Sequence, residues 1–201
     1  MLVIGLTGGT GSGKGCVGQC FLSYGISTID TDVVSREVCQ KGSICLSELT
    51  SHFGECILND DRTLNRKKLA EIAFSDSNKH RVLNSITHKH ILDNVRKWLK
   101  QREASGDIAA IVDAPLLYES GFDKECDIVI AVTAPKEIRI ERLRQRDSIT
   151  DDEIFARMSN QKDDPFYAEN ADYVICNDSS VLSLQAQVDT IYSDIVQRGK
   201  K

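Results

Sequence analysis

Residues 5–16 read GLTGGTGSGKGC. Five glycines fall within nine residues (Gly5, Gly8, Gly9, Gly11 and Gly13), and Lys14 follows directly. Glycine on this scale breaks regular structure, because each residue can leave the conformations that strands and helices share. The flanks are regular. The apolar run LVIGL (2–6) reads as a short buried strand. CVGQCFLSYG (16–25) has apolar residues at helical spacing and stops at Gly25. Strand, glycine turn and helix is the context in which Gly8, Gly13 and Lys14 match G-x-x-x-x-G-K. In that pattern consecutive backbone N–H groups turn inward around phosphate oxygens. The helix that follows adds the positive end of its dipole. Gly8, Gly9, Thr10, Gly11, Ser12, Gly13, Lys14, Gly15 and Cys16 are therefore the expected nucleotide-phosphate contacts. The usual pattern has Ser or Thr after the lysine, whereas here Gly15 and Cys16 follow. A thiol is a poor ligand for hard Mg²⁺, so the metal would rest on phosphate oxygens, water and carboxylates.

Four more apolar runs follow: ISTI (26–29, ending at Asp30), DIAAIVDAP (107–115), DIVIAVTAP (127–135) and ADYVICND (171–178). They are rich in Ile and Val and continuous rather than alternating, which predicts strands buried on both faces. Helical patterns separate them. The expected fold is α/β: a five-stranded parallel sheet with helices on both faces, a core of about residues 1–32, 106–141 and 171–201. The long gap carries LNRKKLAEIAF and HRVLNSITHKHILDNVRKWLKQ, and is read as a helical insertion over about 33–105. A second, polar insertion, about 142–170, is expected to be a mobile lid.

A length of 201 residues suits one large domain or a core with insertions. No apolar run approaches 18 residues, so no membrane span is expected. The first residues have no basic stretch before the apolar run and read as a strand, not an export signal. A net charge of −5 disfavours a broad nucleic-acid surface, though a local basic pocket for a small anion remains compatible. Seven cysteines (Cys16, Cys20, Cys39, Cys45, Cys56, Cys126 and Cys176) form no C-x-x-C. They are expected to be reduced, mostly buried thiols of a cytoplasmic protein. His52 and His80 read as surface residues, and His88 and His90 sit in a helical pattern without a ligand motif. Oligomeric state is left open.

Ligands of parallel sheets gather beyond the carboxyl ends of the strands. Asp30 and Asp32 follow the second strand, and Asp32 reads either as a base for an acceptor hydroxyl or as the N-cap of the following helix. Arg36, a turn later, can reach an anion. Asp113 ends the third strand, which suits a carboxylate that touches Mg²⁺ through water or one that caps the next turn. Arg139, Arg142 and Arg146 lie at i, i+3 and i+7 and share a helix face. They read as phosphate ligands or as a solvated face paired with Glu137 and Glu141. Arg144, Arg157 and Gln161 are nearby.

IGLTGGTGSGKGCV, IDTDVVSREV, DAPLLYESG, ERLRQRD, ARMSNQ and VICND occur in this order along nearly the whole chain, which resembles the dephospho-coenzyme A kinases. The resemblance implies a P-loop kinase fold with a substrate insertion and a lid. It implies ATP and dephospho-CoA as substrates, Mg²⁺ as cofactor, and coenzyme A as product. By position it implies Asp32 as base, Lys14 as phosphate clamp and Arg146 as lid cation. Arg142 and Asn177 would join the nucleotide contacts, and Asp32, Arg36, Leu116, Tyr118 and Glu119 the substrate contacts. Two positions depart from the family: Gly15-Cys16 replaces its common Ser-Thr, and Lys89 stands where proline usually follows the histidine. A kinase of another nucleotide or metabolite, or a nucleotide switch without an acceptor, are the rival readings.

Overall fold

The computed structural model describes residues 1–147, 149–159 and 161–199. Ser148 and Asn160, in the expected lid, and Lys200 and Lys201, at the end of the expected core, lie outside the described residues. The chain divides into two compact units, Met1–Ile29 with Leu99–Lys201, and Asp30–Trp98.

In the first unit the sheet is five-stranded, in the order β2-β3-β1-β4-β5. Its strands are β1 (Leu2–Gly8), β2 (Ser27–Asp30), β3 (Ala109–Asp113), β4 (Ile128–Thr133) and β5 (Tyr173–Cys176). β1 is central. It runs parallel to β3, with Leu6 opposite Asp113, and parallel to β4, with Gly8 opposite Val132. The expectation of strands buried on both faces holds for β3 and β4, which are buried at every position. It fails for β2 and β5, which lie at the sheet edges and expose part of their length. An edge strand has one neighbour only, so Val174 stays exposed although its sequence resembles that of the inner strands.

The β1–β4 and β4–β5 pairings each begin beside an aspartate. Asp127 accepts the Val3 N–H at 2.7 Å and Asp172 accepts the Val129 N–H at 2.7 Å. The strands themselves start one residue into the run for β4 and two for β5. One face of the sheet is covered by α1 (Lys14–Ser23) and α10 (Val181–Arg198). Val17 and Phe21 of α1 and Leu184, Val188, Ile191 and Ile195 of α10 join Ile4, Leu6, Ile111 and Ile130 in one buried cluster. The spacing of the α10 residues is that of a single helical stripe.

The second unit contains α2 (Thr31–Val38), α3 (Ile44–Phe53), α4 (Arg66–Phe74) and the greater part of α5 (Ser77–Ala104). Between β3 and β4 lies the short α6 (Leu117–Ser120), and after β4 come α7 (Lys136–Asp147), α8 (Asp151–Ser159) and α9 (Asp164–Asn170). The polar segment after α7 is thus built of helices. Thr150 and Glu153 open α8 as a reciprocal capping box, in which the Thr150 N–H donates to Glu153 at 2.9 Å and the Glu153 N–H to the Thr150 hydroxyl at 3.4 Å. Among the described residues no helix is long and apolar enough to cross a membrane.

The cysteines correct one expectation. Only Cys39 and Cys45 are buried. Cys20 and Cys126 are half-buried, and Cys16, Cys56 and Cys176 are exposed, because the outward faces of their elements carry them.

Candidate functional site

The glycine loop leaves β1 at Gly8 and enters α1 at Lys14. Gly13 is the N-cap of α1 in the left-handed region, with φ of 90°. A Cβ there would overlap the Asn177 side-chain amide, so both backbone and space demand glycine. The same holds sterically for Gly9, whose added Cβ would strike the Arg139 guanidinium. The glycines thus let two side chains from distant segments press against the loop. Ser12 is buried, and its hydroxyl has no hydrogen-bond partner among the described residues. Such a group is satisfied by a ligand or water.

Four side chains hold the loop. Arg139, from α7, donates through Nε to the Thr10 carbonyl oxygen at 2.9 Å. Arg142, one turn on, donates to the Ser12 carbonyl at 3.2 Å and to the Asn177 carbonyl at 3.1 Å. Asn177, just after β5, donates to the Ser12 carbonyl at 2.8 Å. Gln161, between α8 and α9, accepts the Thr10 N–H at 2.6 Å. With the carbonyls bound from behind by these donors, the loop is pinned in the shape that its glycines permit.

Lys14 makes an ion pair with Asp113, the last residue of β3. Both side chains are largely buried. The register explains the meeting, since Asp113 lies opposite Leu6, two residues before the loop begins. Neither reading of Asp113 had named this pairing. Gly15 and Cys16 are exposed in the first turn of α1, and nothing lies within 4 Å of a Cβ built on Gly15. Among the described residues no group of three or more His, Cys, Asp or Glu side chains could hold a metal. A Mg²⁺ ion here would use Asp113 and the oxygens of a bound phosphate chain, which fits a loop that lacks the hydroxyl.

The shared arginine face of α7 holds only in part. Arg139 and Arg142 converge on the loop, whereas Arg146 is exposed and bonds Asp147, at 2.7 and 3.0 Å. Asp147 also receives Arg157 at 2.8 Å. Its carboxyl is held below the usual range, foremost by the Arg146 hydrogen bonds. Arg144 points elsewhere and makes a two-point pair with Asp151, at 2.8 and 2.6 Å. A cleft of about 560 Å³ opens beside the loop, lined by Lys136, Arg139, Phe155, Gln161 and Lys162 among others.

After Asp113, Leu116 and Glu119 are exposed and Tyr118 is half-buried. The Tyr118 ring meets Phe166 edge-on, with centroids 5.0 Å apart. Burial pushes its hydroxyl up to about 12, so it stays a hydrogen-bond donor. That hydroxyl too lacks a partner among the described residues. Tyr167, fully buried, is likewise pushed up to about 12 by burial.

In the second unit, Asp32 and Arg36 are exposed on α2. The cap reading of Asp32 is overturned. Asp30 is the N-cap, and its carboxylate accepts the N–H groups of Asp32 at 2.7 Å and Val33 at 3.4 Å. The helix starts two residues earlier than the apolar pattern suggests, which leaves the Asp32 side chain without the capping task.

Arg139 was expected to bind phosphate and Gln161 was noted only as nearby, whereas the structure sets both against the loop backbone. Arg139 was visible one turn ahead of Arg142. Gln161 had no local signal, because its partner lies in a different part of the chain.

This geometry agrees with the comparisons. Residues 2–183 match the family model described as dephospho-CoA kinase. A dephospho-CoA kinase of Corynebacterium efficiens is 40% identical over 200 residues, covering 100% of both chains. A crystal structure of a Thermus thermophilus protein superposes with a TM-score of 0.82 at 26% identity, covering 96% of this chain and 97% of that one. The dephospho-CoA kinase of Campylobacter jejuni, at 23% identity, has the same fold, with a TM-score of 0.72 over 99% and 98% of the two chains.

Proposed function

The chain belongs to the dephospho-CoA kinase family, and from that membership we infer that it transfers the γ-phosphoryl group of ATP to the ribose 3′-hydroxyl of dephospho-CoA, the last step of coenzyme A synthesis. The observation that carries this reading is a glycine loop whose lysine meets a strand-end carboxylate, in a chain that matches the family along its length.

Phosphoryl transfer asks a protein mainly to position reactants and to stabilise charge. The loop amides and the N-terminus of α1 would take the phosphate oxygens of ATP. Lys14 would leave Asp113 and place its ammonium on the terminal phosphates, where negative charge shifts during transfer. Arg139, Arg142 and Asn177 bind loop carbonyls and so act as positioning residues. In this reading Asp113 would hold Mg²⁺, which when bound neutralises charge on the phosphate chain. Asp32 takes the proton of the 3′-hydroxyl as that oxygen bonds to the γ-phosphorus and the bond to the β-phosphate oxygen breaks, releasing ADP. Exposure and freedom from capping leave its carboxylate available for that role. Arg146 is the lid cation, exchanging Asp147 for phosphate. Arg36, Leu116, Tyr118 and Glu119 are the proposed contacts to dephospho-CoA, and the unpartnered Tyr118 hydroxyl suits an acceptor on that substrate.

The test is ADP release with and without dephospho-CoA, together with the mass of the product. Release that depends on dephospho-CoA and adds one phosphoryl group is expected. Release that is indifferent to it, or that responds to another nucleoside or sugar acceptor, would replace this assignment.

A further inference from the structure

Two cysteines of the second unit have no part in that chemistry. Cys39 ends α2 as its C-cap, and Cys45 lies in the first turn of α3 behind the N-cap Ser43. Their residues are 4% and 2% exposed, and the sulfur atoms are 3.7 Å apart. Above them the connecting residues 40–42 are fully exposed, so the pair sits under a short surface turn. Packing alone would account for two small buried side chains; the close approach of the two sulfurs beneath an exposed turn is what sets the pair apart. The hydrogen bond shared by the two sulfurs holds the Cys39 thiol below its usual range, and the Arg66 positive charge adds to this. Arg66 is itself turned toward α2, where it donates to the Ser35 carbonyl at 3.5 Å. Cys45 is shifted the opposite way, by the same hydrogen bond and by burial. One sulfur is thus biased toward the nucleophilic thiolate and its neighbour kept as the protonated partner.

We propose that Cys39 and Cys45 form a redox-active dithiol, a modification site at which a hydroperoxide oxidises the pair to an intramolecular disulfide joining the end of α2 to the start of α3. The Cys39 thiolate attacks the terminal peroxide oxygen. The O–O bond breaks, the peroxide is reduced to an alcohol or water that takes up the thiol proton, and Cys39 becomes a sulfenic acid. The Cys45 sulfur then attacks the Cys39 sulfur, the S–O bond breaks, and the hydroxide leaves as water with the Cys45 proton. The two sulfurs together give up two electrons. They need to approach by under about 2 Å to reach disulfide bonding distance. A dithiol reductant reverses the reaction by thiol exchange. The disulfide would fix α2, the helix that carries Asp32 and Arg36. Any effect on turnover rests on the proposed function, whereas formation of the bond does not.

The native, reduced protein is treated with hydrogen peroxide, quenched by alkylation in denaturant and digested with trypsin. Lys41 lies between the two cysteines, so trypsin separates residues 37–41 from 42–62 unless a disulfide joins them. The expected product is that linked pair, assigned by fragmentation to Cys39 and Cys45 rather than Cys56, with the loss of two alkylatable thiols and full recovery after reduction. In Cys45→Ser the sulfenic acid on Cys39 should be trapped by dimedone. Hydrogen exchange over 31–38 should slow in the oxidised protein. If Cys39 and Cys45 both alkylate fully after peroxide has modified the exposed cysteines, the site is overturned. If the link forms and exchange over α2 is unchanged, the claim that the disulfide fixes that helix is overturned.

Discussion

The Lys14 ammonium rests on the Asp113 carboxylate, one group from the end of the glycine loop and the other from the end of the neighbouring strand. The loop's cation therefore has a resident counter-charge. In the proposed function a phosphate chain entering the loop would compete with that carboxylate for the lysine, and Asp113 would then turn toward a phosphate-bound metal.

Lys14→Ala removes the loop cation and leaves Asp113 short of a charge-assisted partner. Turnover should fall by about 10²-fold or more, the usual cost of losing one preorganised electrostatic contact to the transition state. Lys14→Ala with Asp113→Asn should recover part of the lost stability but none of the turnover. Steady-state kinetics and denaturant unfolding of both variants separate the two effects. Near-normal turnover in a folded Lys14→Ala protein would remove Lys14 from the site.

Asp30 and Asp32, two residues apart, should respond in opposite ways. Asp30→Ala removes the cap of α2 and should cost about 1 kcal/mol of stability. Asp32→Asn should leave the unfolding midpoint and ATP binding in place and abolish transfer. The comparison needs one unfolding curve and one single-turnover assay for each variant. A destabilised Asp32→Asn protein with matching loss of activity would return Asp32 to a structural role.

Gln161→Ala frees the Thr10 amide, which donates to the Gln161 side-chain oxygen. Exchange at Thr10 should quicken in the nucleotide-free variant and slow again with ADP, when phosphate oxygens can replace the carboxamide. Residue-resolved hydrogen exchange reads this directly. Identical exchange in wild type and variant would mean that Gln161 does not hold the loop in solution.

Burial lowers the His88 imidazole below its ordinary value of 6.5, with the neighbouring His80 adding repulsion. The unfolded chain therefore binds a proton more readily than the folded one. Stability is retained above the unfolded value of 6.5 and declines over the window just below it as pH falls toward the folded value. Urea midpoints should drop over that window in wild type and change less in His88→Gln. A midpoint flat across the window in wild type would show that His88 is charged without cost.

The sequence alone determined the order of elements, because strand and helix signals are local. An apolar run of a few residues, a glycine turn and a 3.6-residue stripe each lie within a short window, and β1, the loop and α1 could be read directly. The loop's glycines could be read as an expected phosphate cradle, though not the reason that they must be glycine. That reason is Arg139 and Asn177 pressing on Gly9 and Gly13, and Asn177 lies 165 residues from the carbonyl it binds. The Asp113 partner of Lys14, 99 residues away, was equally invisible, since it depends on which strands become neighbours and in what register. The same dependence decided that β2 and β5 are edges, that Arg146 turns to Asp147 while Arg139 and Arg142 turn to the loop, and that Asp30 rather than Asp32 caps α2. Local pattern fixes backbone state over a few residues. Charge pairing, packing and one-residue choices at helix ends are settled only when distant segments compete for the same donors, acceptors and space.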